Sequence, residues 1–177
     1  RCTAVKRMLI HESVADRFTE LLIKKTEQLN WGDPLNSQTD IGTVIDEQAA
    51  IYIQSRVDAA TAGGAKVLFG NKRRGALYSP TVVDQVTPNM LLVAEETFGP
   101  VSPIIRFRSI DEAIAIANGT KYGLSSSVCT NNLSYITKLI TGLNVGTVNV
   151  REVPGYRLEL TPFGGIKDSG TGFKEGI

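Results

Sequence analysis

Hydrophobic and polar positions alternate along this chain between strand-like and helix-like spacing. Short runs of β-branched and large apolar residues predict strands at 5–10, 66–69, 103–107, 125–130 and 147–150. Each run is short and most are bounded by polar or glycine-rich turn sequences, as expected for strands inside a sheet. The pattern therefore predicts five strands spread over the first 150 residues.

Between these runs, apolar residues recur three or four positions apart. That spacing predicts helices from Ser13, as N-cap, to about Leu29, and over 46–62, 109–117 and 133–141. Strands that alternate with helices favour a largely parallel sheet with helical crossovers. We therefore predict an α/β fold with a mostly parallel sheet and helices on both faces. Residues 151–177 are glycine-rich and show little periodicity, and no linker divides the chain, so we predict one domain over 1–177.

Composition narrows the classes of function. The chain is 42% hydrophobic and 21% charged, with a net charge of +1, so no strong field attracts nucleic acid or an anionic membrane surface. No apolar run approaches the roughly 18 residues of a membrane span. Two cysteines and one histidine form no zinc-ligand spacing and no disulfide framework. These features favour a cytoplasmic protein without a metal. The absence of an initiator methionine and of a leader predicts a fragment of a longer protein.

The first candidate for chemistry is Cys2, within Arg1-Cys2-Thr3-Ala4. A thiolate is a strong nucleophile, and a neighbouring cation such as Arg1 favours the thiolate form. The alternative is an ordinary cysteine, since cysteine more often serves as a small hydrophobic residue. The segment alone does not decide between the two.

The second and third candidates are turn-rich segments. In 95–100, Glu-Glu-Thr-Phe-Gly-Pro, Glu96 could accept hydrogen bonds from ribose hydroxyls and Phe98 could support a flat heterocycle; the alternative is a turn with exposed acids and a core phenylalanine. In 162–170, Pro-Phe-Gly-Gly-Ile-Lys-Asp-Ser-Gly, the glycines allow close approach of the backbone to a site. Lys167 does not have P-loop spacing, and no G-x-G-x-x-G motif occurs.

Taken together, four segments resemble the aldehyde dehydrogenase superfamily in order and spacing. They are 1–4, 95–100, 118–124 (Asn-Gly-Thr-Lys-Tyr-Gly-Leu) and 162–170, and the resemblance extends over essentially the whole chain. Residues 152–157, Glu-Val-Pro-Gly-Tyr-Arg, are most similar to the phosphonoacetaldehyde dehydrogenases of that family. The resemblance implies the α/β catalytic domain of an oxidoreductase that forms homo-oligomers of two or four subunits.

The resemblance also implies a role for individual residues. Cys2 matches the nucleophile that adds to the aldehyde and later carries the thioester, and its backbone N–H matches one donor to the oxyanion. Glu96 matches the acid that holds the nicotinamide ribose, Phe98 the ring beside the nicotinamide, and Phe163 a wall of the substrate pocket. The implied cofactor is NAD or NADP, and the product is a carboxylate.

Parts of the family pattern are missing from these 177 residues. The general-base glutamate, the oxyanion asparagine and the cofactor-binding domain precede the nucleophile in the family, and a tail that joins a neighbouring subunit follows the last segment. We therefore expect a fragment with the cofactor-binding domain absent, inactive in isolation and exposing apolar surface. The residues that would distinguish NAD from NADP lie in the missing part.

Two arginines are candidates for substrate binding. Arg1 precedes the nucleophile, and Arg157 lies six residues before Phe163, where many relatives with apolar substrates carry an aromatic residue. A guanidinium supplies paired donors to phosphonate, sulfonate or carboxylate oxygens; the alternative is two solvated surface arginines. Arg151, at the end of a strand, is a weaker candidate. Cys129, in an apolar pattern, is predicted to be buried.

The leading hypothesis is thus an NAD(P)-dependent dehydrogenase that oxidises a small anionic aldehyde, with no nucleic acid or membrane as partner. A coenzyme A-acylating aldehyde dehydrogenase would use the same cysteine. An inactive fragment with a role in subunit assembly is the third hypothesis. The remaining basic residues are expected on solvated surfaces; they include Lys6, Arg7, Lys24, Lys25, Arg73 and Arg74.

Overall fold

A computed structural model describes residues 1–172 of the protein. The backbone forms two compact units. One is Lys6–Phe107, and the other combines Arg1–Val5 with the described part of Arg108–Ile177. The assignment of 1–177 to a single catalytic domain stays a prediction.

The Lys6–Phe107 unit contains the larger sheet. In chain order its elements are β1 (Met8–His11), α1 (Glu12–Thr26), α2 (Glu47–Ala62), β2 (Lys66–Phe69), β3 (Arg73–Arg74), β4 (Leu77–Tyr78), β5 (Thr81–Asp84), α3 (Leu91–Ala94) and β6 (Val101–Phe107).

Four of these strands form one sheet in the order β1-β6-β5-β2. β6 is parallel to both β1 and β5, and β2 runs antiparallel to β5 at the edge. The predicted α/β class is confirmed, and two of the three pairings are parallel. The antiparallel edge makes the sheet mixed; it arises because β2 and β5 are joined by a short excursion through β3 and β4 rather than by a helical crossover.

The central strands carry the core. Val82 and Val83 on β5 are fully buried, and the exposed fraction of Ile104 and Ile105 on β6 is at most 2%. Neighbouring residues of a strand point to opposite faces, so both faces of the sheet are covered at its centre. Such continuous apolar runs are typical of strands buried on both sides.

Side-chain caps set the start of the two long helices of this unit, α1 and α2. Asp46 accepts the N–H of Ala49 and is the N-cap of α2, one residue before the helix, whereas the sequence pattern includes it as the first helical residue. The predicted N-cap Ser13 is wrong. His11 holds that position, and its ring nitrogen accepts the N–H of Ser13. Polar caps other than serine satisfy the same unpaired N–H groups, and here the helix begins two residues earlier than predicted.

The second unit has α4 (Ile110–Asn118), β7 (Tyr122–Gly123), β8 (Ser125–Val128), α5 (Leu133–Gly142), β9 (Thr147–Val150) and β10 (Ile166–Lys167). β8 and β9 pair in parallel, and β7 and β10 pair antiparallel. Cys129 is exposed, contrary to the prediction, because β8 ends at Val128 and Cys129 lies beyond the strand. Within 1–172 no helix is long and apolar enough to cross a membrane.

Candidate functional site

Cys2 lies in a short turn near the start of the second unit. The N–H of Ala4 donates to the carbonyl oxygen of Arg1 at 3.1 Å, and the Cys2 side chain is exposed. Thr3 lies directly against Gly155. A Cβ placed on Gly155 would be 2.8 Å from the Thr3 hydroxyl oxygen, closer than side chains approach each other. Glycine at 155 therefore lets the 151–157 loop lie against the residue next to the thiol.

The 151–157 loop leads into a small cavity. The cavity has a volume of about 120 Å³. Its walls are Thr147, Asn149, Tyr156, Arg157, Leu158, Thr161, Pro162 and Phe163. The Arg157 guanidinium carbon lies 4.8 Å from the centre of the Phe163 ring, within the range of a cation–π contact. An exposed guanidinium and an apolar wall thus meet in one pocket, an arrangement suited to a small molecule with an anionic end.

Asn149 holds the same loop from β9. Its side-chain NH2 lies 3.1 to 3.2 Å from the carbonyl oxygens of Val153, Pro154 and Tyr156. Ser127 on β8 also donates to the carbonyl oxygen of Glu152. Because strand side chains alternate, Asn149 faces the same side of β9 as Thr147, toward the cavity. The loop that carries Arg157 is therefore fixed by side chains of a paired-strand unit.

In the Lys6–Phe107 unit, Glu96 and Phe98 are brought together by Lys6. The Lys6 ammonium lies 3.9 Å from a Glu96 carboxylate oxygen and 4.1 Å from the centre of the Phe98 ring. The Phe98 side chain is 54% exposed, so it is not a core residue. The Glu96 side chain is 46% exposed. An accessible carboxylate thus lies beside an accessible aromatic ring, and the two can offer hydrogen-bond acceptors and a flat apolar surface to one ligand.

Two of the four sequence segments have a structural role. β7, in 118–124, pairs with β10, in 162–170, and the Ser169 hydroxyl accepts the N–H of Gly123. The Lys167 ammonium donates to the carbonyl oxygens of Asn118 and Thr120, both at 2.9 Å. Lys167 is thus committed to the backbone, and the segment positions the Phe163 wall.

The structure groups the predicted residues within each unit. Glu96 and Phe98 share the contact with Lys6, and Arg157 and Phe163 share the cavity. Cys2 and Arg1 lie in the turn whose Thr3 touches the loop of Arg157; Arg1 is not a wall of the cavity. Within residues 1–172, no group of three or more His, Cys, Asp or Glu side chains is arranged to hold a metal ion.

Sequence patterns missed three supporting residues. Lys6 was expected on a solvated surface, yet its side chain is 25% exposed and contacts both Glu96 and Phe98. Asn149 was included only as part of a strand, and Gly155 only as part of a segment. The one local signal of such a role is a single asparagine in a strand whose other residues are β-branched. Its side chain faces a loop whose backbone carbonyl groups need donors.

Comparison with known proteins gives consistent matches over the whole chain. The model described as "Aldehyde dehydrogenase family" matches residues 1–177. A sulfoacetaldehyde dehydrogenase from Neptuniibacter caesariensis is 44% identical over 100% of this chain and 39% of its own length. An NADP-dependent glyceraldehyde-3-phosphate dehydrogenase from Streptococcus equinus is 42% identical over 97% of this chain and 36% of its own length.

A solved structure agrees with these matches. The crystal structure of a glyceraldehyde-3-phosphate dehydrogenase from Methanocaldococcus jannaschii, complexed with NADP, superposes with a TM-score of 0.93 at 39% identity. The superposition covers 98% of this chain and 38% of that protein. The chain thus spans less than two fifths of the length of each of these relatives.

Proposed function

Because this chain belongs to the aldehyde dehydrogenase family, we propose that it is the nucleophile-bearing domain, 1–177, of an NAD(P)-dependent enzyme that oxidises a small anionic aldehyde to its carboxylate. One observation carries the proposal. The loop that carries Arg157 lies against Thr3, the neighbour of Cys2. The contact is made at Gly155, which has no side chain to prevent it. The Arg157 guanidinium, which would bind the anion, and the Cys2 thiol, which would attack the carbonyl, therefore lie on two segments that contact each other.

Cys2 supplies the nucleophile. Its thiolate sulfur forms a bond to the aldehyde carbon, and the carbonyl oxygen becomes the anionic oxygen of a thiohemiacetal, which the Cys2 backbone N–H helps to stabilise. When bound, NAD(P) supplies the acceptor for the hydride that leaves this carbon. The thioester that remains on Cys2 is hydrolysed by water, which releases the carboxylate and restores the thiol. The exposed position of the thiol is compatible with attack on an incoming substrate.

Glu96 and Phe98 form the part of the cofactor site that this chain contributes. The accessible carboxylate of Glu96 can accept hydrogen bonds from the two hydroxyls of a ribose, and the open face of Phe98 can pack against the nicotinamide. Lys6 keeps both side chains on one side of the loop before the cofactor binds. The choice between NAD and NADP depends on residues outside this chain.

Arg157 supports an anionic substrate. A guanidinium binds a sulfonate, phosphonate or phosphate group through two parallel hydrogen bonds. The cavity of about 120 Å³ beside Phe163 has room for a small head group. Two of the relatives are named for sulfoacetaldehyde and glyceraldehyde-3-phosphate, aldehydes with such a group. We assign this chain the same substrate class, which includes phosphonoacetaldehyde, and propose that Arg1 contributes a second positive charge.

A coenzyme A-acylating enzyme is the alternative, because it would form the same thioester on Cys2. Product analysis separates the two: hydrolysis gives a free carboxylate without added coenzyme A. A role limited to assembly predicts no dehydrogenase activity in the full-length protein. By family resemblance we further propose a cytoplasmic homo-oligomer, which light scattering of the full-length protein tests directly.

The nucleophile is tested by Cys2→Ala in the full-length enzyme, with NAD(P)H formation as the assay. We expect loss of oxidation with cofactor binding retained. Cys129→Ala is the matched control, since it removes the other exposed thiol. Activity of Cys2→Ala within about tenfold of wild type corresponds to a barrier change of only about 1.4 kcal/mol and would exclude Cys2 as the nucleophile.

The substrate class is tested by Arg157→Leu. Loss of a charge-assisted contact of about 1.5–3 kcal/mol should lower kcat/KM for an anionic aldehyde roughly tenfold to a hundredfold. Propanal, which is uncharged, should be spared. Arg151→Asn is the control, because it removes a charge from the same loop and asparagine tolerates the φ of 60° there. Equal loss with both aldehydes would make Arg157 structural and leave a generic aldehyde dehydrogenase.

A further inference from the structure

The 95–100 loop, which carries Glu96 and Phe98, is held from helix α2 by Arg56. The Arg56 guanidinium donates to the carbonyl oxygen of Glu96 at 2.9 Å and to the hydroxyl oxygen of Thr97 at 3.0 Å. The Thr97 hydroxyl in turn donates to the carbonyl oxygen of Leu92, in the preceding helix α3. A single guanidinium therefore fixes the backbone at the residue assigned to ribose binding.

Arg56 is buried, with 8% of its surface exposed. Burial of a cation is unfavourable unless its donors are satisfied. Besides the loop, Arg56 bonds the Tyr52 hydroxyl and stacks on the Tyr52 ring at 4.4 Å. Among the described residues no carboxylate lies within 4.0 Å of it to form an ion pair. The charged guanidinium thus donates its hydrogen bonds to three neutral acceptors, and the 95–100 loop provides two of them.

Helix α2 also contacts the loop through Ile53, one turn before Arg56. A Cβ on Gly99 would lie 2.4 Å from the Ile53 Cδ1, so the loop backbone rests directly on this side chain. Ile53 is 1% exposed. Residues three apart on a helix share a face, so Arg56 and Ile53 form one continuous surface of α2 against which the loop packs. This surface of α2 constrains the backbone of the 95–100 loop and leaves the Glu96 and Phe98 side chains exposed.

We propose that Arg56 is a positioning residue for the cofactor site, which it serves by fixing the backbone of Glu96. The inference rests on the proposed function of Glu96 and Phe98. Arg56 is buried and directs its bonded N–H groups to Glu96, Thr97 and Tyr52, so we place it in support of the loop and not in contact with the cofactor. A flat fork with several donors can reach Glu96, Thr97 and Tyr52 at once, whereas a lysine ammonium is a point charge on a flexible stem. Loss of Arg56 should therefore loosen the loop and weaken cofactor binding ahead of any effect on the aldehyde.

The test uses Arg56→Met in the full-length enzyme, with the Kd for NAD(P) measured by calorimetric titration beside steady-state kinetics. We expect Kd and KM for NAD(P) to rise at least about tenfold, equivalent to about 1.4 kcal/mol. KM for the aldehyde should stay within about twofold. Arg56→Lys should recover part of the affinity. Arg73→Met is the matched control, since Arg73 bonds Glu47 and Gln54 on the same helix.

Two further variants keep the outcome decisive. If Arg56→Met does not fold, Thr97→Val removes one acceptor of the guanidinium and should raise the Kd for NAD(P) by a smaller factor. Glu96→Ala reports on the cofactor assignment itself. Weak binding by Glu96→Ala with normal binding by Arg56→Met and Thr97→Val would overturn the role of Arg56 alone. Normal binding by Glu96→Ala would overturn the assignment of Glu96 to the cofactor site, on which the inference rests. An equal rise in KM for both substrates in Arg56→Met would also overturn the inference.

Discussion

Replacement of Asn149 should disturb the 151–157 loop, which carries Arg157, and it also changes one wall of the cavity. Its side-chain NH2 has two hydrogens, shared among three carbonyl oxygens at 3.1, 3.2 and 3.2 Å. Each satisfied hydrogen contributes about 1 kcal/mol net, so Asn149→Ala should destabilise the ordered conformation of the loop by about 2 kcal/mol. If that order is needed to place Arg157, kcat/KM for the anionic aldehyde falls by about 30-fold.

Asn149→Asp makes the test sharper. The carboxylate has nearly the same shape but only accepts hydrogen bonds, so it would face three carbonyl oxygens with no donor. We expect it to lower kcat/KM more than alanine does and to spare propanal more than the anionic aldehyde. Asn131→Ala, at an exposed position of the same unit, is the control.

Hydrogen exchange provides a second readout. The backbone N–H of Tyr156, which donates to the Val153 carbonyl oxygen at 3.0 Å, should exchange faster in both Asn149 variants. If Asn149→Asp keeps kcat/KM within about threefold of wild type, a barrier change below about 1 kcal/mol, and Tyr156 exchanges normally, the loop does not depend on Asn149 and the reasoning is refuted.

Three other predictions concern packing and charge. Gly146→Ala should abolish activity and lower Tm, because its Cβ would lie 1.8 Å from a backbone carbonyl oxygen of the 162–170 segment; normal activity and Tm would contradict this contact. Burial raises the pKa of the Tyr78 phenol to about 12, so tyrosinate absorbance should show a late step that Tyr78→Phe removes; stability should fall as pH rises from about 10 to 12, since the unfolded phenol loses its proton first. Asp84→Asn should lower the free energy of unfolding in urea by about 2–3 kcal/mol, since the Asp84 side chain, 5% exposed, pairs with Arg106 at 2.6 Å. Asp16→Asn, at an 88% exposed partner of the same arginine, should cost less than about 1 kcal/mol, and equal effects would refute the distinction.

Local patterns were sufficient for most of the helices and strands. β2 and β9 have the predicted bounds, and α2 begins within one residue of its predicted start, because each depends on neighbours in sequence. β5 was missed. Its four residues, Thr81 to Asp84, are all buried, but two of them are polar. Asp84 is buried because Arg106, on the adjacent strand, pairs with it, and no local pattern contains that information.

The candidate site divides in the same way. Cys2, Glu96, Phe98, Phe163 and Arg157 could be proposed from segments that resemble a family, and their roles stay predictions. The residues that support them could not, because each acts across a long separation in sequence. Arg56 reaches a loop 40 positions away. Arginine is seldom buried, so a reader of the sequence would place it in solvent.

The contact between Thr3 and Gly155 has a consequence for biosynthesis. These residues are separated by about 150 positions, and a ribosome adds roughly 5–20 residues per second, so Thr3 is translated about 8 to 30 s before its partner. The β7–β10 pairing, which supports the cavity wall, needs residues that come later still. The thiol is therefore among the first groups of this region to emerge and its pocket among the last to close. A nascent chain that stalls before Gly155 carries the Cys2 thiol without the loop that lies against its neighbour Thr3 in the folded protein.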